Sequence, residues 1–211
     1  MKLGNQLVLT VDRTQWRTNN LFMVSVIWAK RAWPINWQFM PHSGNSTLAQ
    51  QKAILRPALR LLKSYQIVVV GDREFHSVKL AAWLEEQKVY FALRQKRTTY
   101  IKQMGQDYQR LNRLGLTPGI QLFLTGVTFT KTEGFGQFNL AAYWQRKSKK
   151  KTLDEGWYIL TNLDNLAAAL NAYKARSGIE RSRRRSASGR CLRIARVAVI
   201  IWRSVKRPRS D

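Results

Sequence analysis

The sequence is poor in the residues that build several common classes of protein. A single cysteine among 211 residues excludes a disulfide framework and a cysteine-based zinc site. The two histidines are too few and too far apart to form a histidine metal site. No apolar run approaches the roughly 20 residues that span a bilayer, and residues 1–4 lack the apolar stretch of a signal peptide. We therefore expect a soluble cytoplasmic protein that has no membrane partner.

Acidic residues are also scarce, and this gives the chain a strong positive charge. There are 12 Asp and Glu against 37 Lys and Arg, so the formal charge is +25. The segment 181–211 holds eleven basic residues and one acid and carries +10, which leaves +15 on residues 1–180. A phosphate backbone is the commonest partner of such a surplus, because binding releases counterions. Nucleic acid is the predicted partner, and an unusually basic solvated surface is the alternative.

The pattern of apolar residues predicts an α/β fold. Apolar and β-branched runs predict strands at 6–12, 21–29, 32–40, 67–71, 89–93 and 157–161. Helical spacing predicts helices at 47–64, at 77–87 and from Asp164 onward. Pro34 indicates an edge strand or a bulge. Between 97 and 156, short alternating segments broken by Gly and Pro predict a β-rich insertion into a mixed sheet that helices flank.

Two acids stand where apolar strands are predicted to end. Asp12 follows the first run and Asp72 follows the fourth, so their carboxylates converge if the two strands are neighbours. Close carboxylates repel each other, and oxygen ligands favour Mg²⁺ or Mn²⁺ as the neutralising cation. Glu180 is the candidate third acid, because it shares a predicted helix face with Tyr173 and Arg176. The alternative for each acid alone is an ordinary turn or cap residue.

Five segments of the chain together resemble one known family. These segments are VDRTQW (11–16), GNS (44–46), VVVGDREF (68–75), YFALRQKRTTYIK (90–102) and YKARSGIE (173–180). They resemble the insertion-sequence family 4 transposases over about residues 6–180. The resemblance implies an RNase H-like fold, a catalytic and metal-binding triad of Asp12, Asp72 and Glu180, and two Mg²⁺ or Mn²⁺ ions.

The resemblance also implies an activity and its partners. The expected reaction is cleavage and strand transfer at transposon ends, with double-stranded end and target DNA as partners. A homodimer in a synaptic complex and a DNA-associated place in the bacterial cytoplasm are further expectations. The predicted DNA contacts are Tyr173, Arg176, Arg73, Lys149, Lys150 and Lys151. Two alternatives are a catalytically inactive basic DNA-binding remnant and a metal-dependent DNA nuclease.

The chain departs from the family pattern at both ends. The family signature places a Lys seven residues after the Glu, where this chain has Ala187, and beyond Glu180 the sequence turns to Arg and Ser. Family members usually carry an end-binding domain before the first Asp. We therefore expect a catalytic-core fragment, truncated at its start and frameshifted after Glu180. The predicted division is a first core part (1–96), the insertion (97–156), a last strand and Glu-bearing helix (157–180), and a basic tail that is disordered or out of frame (181–211).

Overall fold

The computed structural model describes residues 6–16, 19–40, 46–131, 135–146 and 155–176, which form a ten-stranded mixed sheet with three helices. In chain order these elements are β1 (Gln6–Trp16), β2 (Asn19–Trp28), β3 (Arg31–Met40), α1 (Leu48–Leu61), β4 (Gln66–Gly71), α2 (Val78–Glu86), β5 (Tyr90–Arg94), β6 (Tyr100–Lys102), β7 (Gln109–Arg110), β8 (Gln121–Phe129), β9 (Phe135–Tyr143), β10 (Trp157–Thr161) and α3 (Leu166–Ala175). Short 3₁₀ turns lie at Arg73–Phe75 and Leu111–Arg113.

The three predicted strands at the start of the chain form an antiparallel meander. β1 pairs with β2 and β2 pairs with β3, and β3 is an edge strand. The register between β2 and β3 shifts between Val24 and Ser25, opposite Pro34. Because proline has no N–H to donate, an edge position beside an irregular register is where a strand tolerates it.

The central strands are parallel and define the fold. β1 pairs in parallel with β4, and β4 pairs in parallel with β5, so the first five strands have the order β3-β2-β1-β4-β5. An antiparallel meander followed by parallel strands with helical crossovers is the RNase H-like arrangement. The prediction of an α/β, RNase H-like mixed sheet is therefore confirmed.

The predicted β-rich insertion extends the same sheet. β10 lies between β5 and β9 and is antiparallel to both, and β8, β6 and β7 continue the sheet outward. Gly126 and Gly136 have positive φ angles in or beside the β8–β9 pair, where the register shifts. The insertion therefore joins the core by main-chain pairing.

The helices cover opposite faces of the sheet. α1 and α2 pack over a core that includes Leu9, Val11, Val69 and Phe91, whereas α3 packs over Val68, Val70, Ala92 and Ile159. Successive residues of a strand face opposite sides of a sheet, so the even-numbered positions of β1, β4 and β5 face α3. This alternation decides which side of the sheet each polar residue at a strand end occupies.

The helix caps account for where α1 and α3 begin. Thr47 caps α1 in a capping box with Gln50, as a threonine before an apolar run predicts. The side chain of Asn165, not that of Asp164, caps α3 by accepting from the Ala168 N–H. The predicted cap at Asp164 is wrong by one residue, since asparagine has the same capping geometry.

None of the helices in the described ranges has the length and apolar character needed to cross a bilayer.

Gly71 is the last residue of β4 and sets how closely the following turn approaches the sheet. A Cβ atom there would lie 2.7 Å from the Phe75 Cβ and 3.2 Å from a Leu93 methyl carbon. We expect Gly71→Ala to lower the free energy of unfolding by about 1–3 kcal/mol, because the fully buried Phe75 has no room to retreat. Urea denaturation measures this change, and a variant as stable as the wild type would contradict the packing described here.

Candidate active site

Asp12 and Asp72 lie side by side on neighbouring parallel strands. The register pairs Val11 with Gly71, so each aspartate directly follows a paired position. Both are even-numbered and face α3, and adjacent strands lie about 4.8 Å apart. Asp12 is buried, with 6% of its surface exposed. The prediction that these two acids converge at one edge of the sheet agrees with this register.

One detail of that prediction is wrong, because Asp12 does not end its strand. β1 continues to Trp16, since it still pairs with β2 beyond the point where β4 stops. Asp72 does follow the end of β4 and begins the 3₁₀ turn at Arg73–Phe75. The first aspartate is thus held on a continuous strand and the second on a turn.

Both oxygens of Asp72 accept hydrogen bonds. Oδ1 accepts from the Glu74 backbone N–H at 3.0 Å, as a cap of the turn, and Oδ2 accepts from Arg176 Nη2 at 3.0 Å. The Arg176 side chain is 15% exposed and that of Asp72 is 34% exposed, so the guanidinium group is largely shielded from water while the carboxylate keeps access to it. The C-terminal end of α3 therefore places a guanidinium group against the second aspartate, and the predicted contact of Arg176 with DNA stays a prediction.

Tyr173 is part of the core, with 4% of its surface exposed. Its ring packs edge-on against Trp157, with centroids 5.1 Å apart. Burial raises the pKa of its hydroxyl, opposed by the charges of Arg176 and Arg94 and by a hydrogen bond with Arg94. Tyr173 thereby anchors α3 to the sheet. Its contact with DNA stays a prediction.

Arg94 is a site residue that the sequence reasoning missed. Gly71 pairs with Leu93, so Arg94, the last residue of β5, lies level with Asp72, which follows β4, and both face α3. Arg94 Nη2 lies 2.7 Å from Glu155 Oε1, and Arg73 Nη1 lies 2.8 Å from the same oxygen. The signal was present, because the strand-end rule applied to the two aspartates also selects the basic residue after the next strand.

Arg73 does not pair with its neighbour in sequence, Glu74. Glu74 instead binds Arg13 at 2.7 Å. Burial raises the pKa of Glu74, and the Arg13 charge opposes this. The side chain of Arg73 is 51% exposed, so it keeps access to solvent beside the second aspartate.

The fit of a divalent cation depends on the two aspartates. Two carboxylates on adjacent strands supply the hard oxygen ligands that Mg²⁺ and Mn²⁺ prefer. Within the described ranges, no group of three or more metal-ligating side chains is found. Glu180, the predicted third ligand, lies outside the described residues, as do Lys149, Lys150, Lys151 and the tail 181–211. The described donor set is a pair of carboxylates, and carboxylate oxygens are ligands that suit these metals.

Comparison with known proteins assigns a family to this fold and site. The model of the family described as "Transposase DDE domain" matches residues 41–197. This range covers most of the chain and includes Asp72, Arg176 and Glu180, and it runs past the composition break at 181. The chain therefore belongs to the transposase DDE domain family. No protein among the curated ones matches it.

Two solved structures are similar to this chain at low sequence identity. One is a piggyBac transposase synaptic complex with hairpin DNA, with 14% identity and a TM-score of 0.48 over 87% of this chain and 40% of the other. The other is endonuclease V of Ciona intestinalis with a 24mer DNA containing an inosine followed by a ribo-adenosine, with 13% identity and a TM-score of 0.41 over 82% of this chain and 78% of the other. The chain thus spans less than half the length of the piggyBac transposase.

The contribution of the Glu155 ion pairs to stability can be tested by mutation. We expect Glu155→Gln to lower the free energy of unfolding by about 1–2 kcal/mol, because it leaves the largely buried Arg94 without a charged partner. Glu85→Gln, at an exposed position of α2, is the matched control and should change it by less than about 0.5 kcal/mol. Equal urea midpoints for the two variants would show that the bridge adds no stability.

Proposed function

We propose that this chain is the catalytic part of a DNA transposase and carries out phosphoryl transfer at transposon ends. The observation that carries the proposal is the placement of Asp12 beside Asp72 on parallel strands, with Arg176 bound to the second carboxylate. Family membership supports it, because the matched range includes Asp72 and Arg176. Glu180 completes the proposed triad.

In the proposed reaction, a water or a 3′-hydroxyl oxygen attacks a backbone phosphorus in line. One P–O bond forms while the opposite P–O bond breaks. The attacking oxygen gives up its proton to solvent, and the leaving 3′ oxygen takes one up from solvent. Two divalent ions, when bound, would lower the pKa of the attacking hydroxyl and stabilise the leaving oxygen. Asp12, Asp72 and Glu180 would hold these ions.

The arginines at this edge supply the positive charge that the reaction needs. Negative charge grows on the phosphate oxygens as the attack proceeds, and preorganised cations stabilise it. Arg176 lies on Asp72, and Arg94 and Arg73 lie on Glu155, all at the same end of the parallel strands. Because their carboxylate partners fix them, they need little reorganisation when a phosphate approaches.

The proposed partners follow from the same reaction. Strand transfer joins transposon-end DNA to target DNA, so double-stranded DNA is the substrate. Pairing of two ends requires two copies of the active site, and we include a homodimer in the proposal. Lys149, Lys150 and Lys151 remain proposed contacts to the DNA backbone.

Replacement of either aspartate should abolish DNA cleavage but leave DNA binding almost unchanged. We expect Asp12→Asn or Asp72→Asn to reduce Mg²⁺-dependent cleavage of a transposon-end duplex at least about a hundredfold, since each removes charge at the reacting phosphate. Salt-sensitive DNA binding should stay within about twofold, because backbone contacts by Lys and Arg dominate it. Gel assays measure cleavage and fluorescence anisotropy measures binding.

Asp107→Asn, at an exposed position of the insertion, is the matched control and should cleave like the wild type. Parallel loss of cleavage and binding in the two aspartate variants would count against the assignment. Cleavage without strand joining would favour a nuclease, and binding without cleavage in the wild type would favour an inactive DNA-binding remnant.

A further inference from the structure

A cavity of about 420 Å³ opens at the end of the sheet opposite the aspartates. It is formed by the last turns of α1 and α2 and by the residues that lead into β4 and β5. β4 is six residues long, so the cavity lies about 15–20 Å from Asp72 along the strand direction. It is thus a separate feature from the candidate active site.

The rim of this cavity is cationic. Arg56, Arg60, Lys63 and Lys88 line it, together with the amides of Gln66 and Gln87. No carboxylate lines it, and none of the four cations has an ion pair with a described residue. All four are exposed, whereas Ile67 and Val89 at the floor are buried.

Helix capping explains only part of this charge. Cations are favourable near a helix C-terminus, which carries about half a negative charge. Arg60 lies in the last turn of α1, and Lys63 follows the cap of that helix. The C-terminal ends of two helices therefore offset about one of the four positive charges at the rim. Arg56 is a full turn earlier in α1 and packs over the Trp83 ring at 5.9 Å. The surplus faces a concave surface, which is the arrangement that focuses a positive potential on an anion.

From this charge and shape we infer that the cavity is a second DNA-backbone site, remote from the aspartates, which takes consecutive phosphates of a duplex. Lysine, arginine and amide side chains are the groups that contact phosphate oxygens of nucleic acids, and the cavity presents four cations and two amides. Tyr65, which is 46% exposed, lines the same cavity and offers an aromatic face beside the backbone. The inference does not depend on catalysis at the other end of the sheet.

Salt titration of DNA binding by the full chain tests the site. The plot of log affinity against log salt falls with a slope of about −0.9 for each phosphate neutralised. We expect Arg60→Gln/Lys63→Gln to reduce the magnitude of that slope by about two. Arg113→Gln/Lys131→Gln removes the same charge at exposed positions of the insertion and should leave the slope closer to the wild-type value. An unchanged slope in the cavity variant, or an equal change in both, would overturn the inference.

Photocrosslinking locates the contact and identifies its source. A benzoylphenylalanine in place of Tyr65 should crosslink to a duplex of arbitrary sequence, whereas the same residue in place of Ile120, which is 47% exposed, should crosslink far less. Inorganic tripolyphosphate at the same phosphate concentration should compete only weakly. Complete competition by tripolyphosphate, or equal crosslinking at both positions, would overturn the assignment to DNA.

The two proposals fail separately. In an Asp12→Asn/Asp72→Asn background, Arg60→Gln/Lys63→Gln should still reduce the magnitude of the slope of log affinity against log salt. If the wild type cleaves no DNA but the slope change persists, the proposed activity fails and the second site stands. If cleavage is normal and the slope does not change, the second site fails alone.

Discussion

The parallel pairing of β1 with β4 is the constraint on which the candidate active site depends. This register places two carboxylates on one face of the sheet, at neighbouring positions. Two like charges at about 4 Å repel by about 1 kcal/mol in water and by about 4 kcal/mol at the effective dielectric of a protein surface. A fold that holds both in place therefore requires positive charge beside them. The residues of α3, β5 and the segment before β10 supply or organise that charge.

The ion pairs at this edge join parts of the chain that are far apart in sequence. Arg176 reaches Asp72 from the end of α3, and Glu155 links Arg73 after β4 with Arg94 at the end of β5. The buried ring of Tyr173 fixes α3 against the sheet, and its hydroxyl bonds Arg94. In a chain of formal charge +25, these carboxylates hold selected arginines in one place. The same surplus leaves other cations, such as those of the remote cavity, without an acidic partner among the described residues.

Local patterns in the sequence predicted those features that depend on neighbouring residues. The strands, the capping threonine of α1 and the edge position of Pro34 follow from short-range preferences. Short-range preferences did not predict that β1 continues beyond Asp12, because this extension depends on pairing with β2. The bridge between Arg94 and Glu155 spans 61 positions and depends on where the insertion returns to the sheet. Strand pairing and long-range contacts are set by tertiary packing, and the spacing of apolar residues along a short segment does not predict them.

The most direct test of the account is to find which segments of the polypeptide surround a bound metal. Fe²⁺ substituted for Mg²⁺ generates hydroxyl radicals that cut the backbone beside the site, and mass spectrometry maps the cuts. The account predicts cuts near residues 12 and 72 and in the segment around 180, suppressed by excess Mg²⁺ and absent in Asp12→Asn/Asp72→Asn. Cuts confined to one of these segments, or unchanged in the double variant, would contradict the claim that the two strands form one metal site.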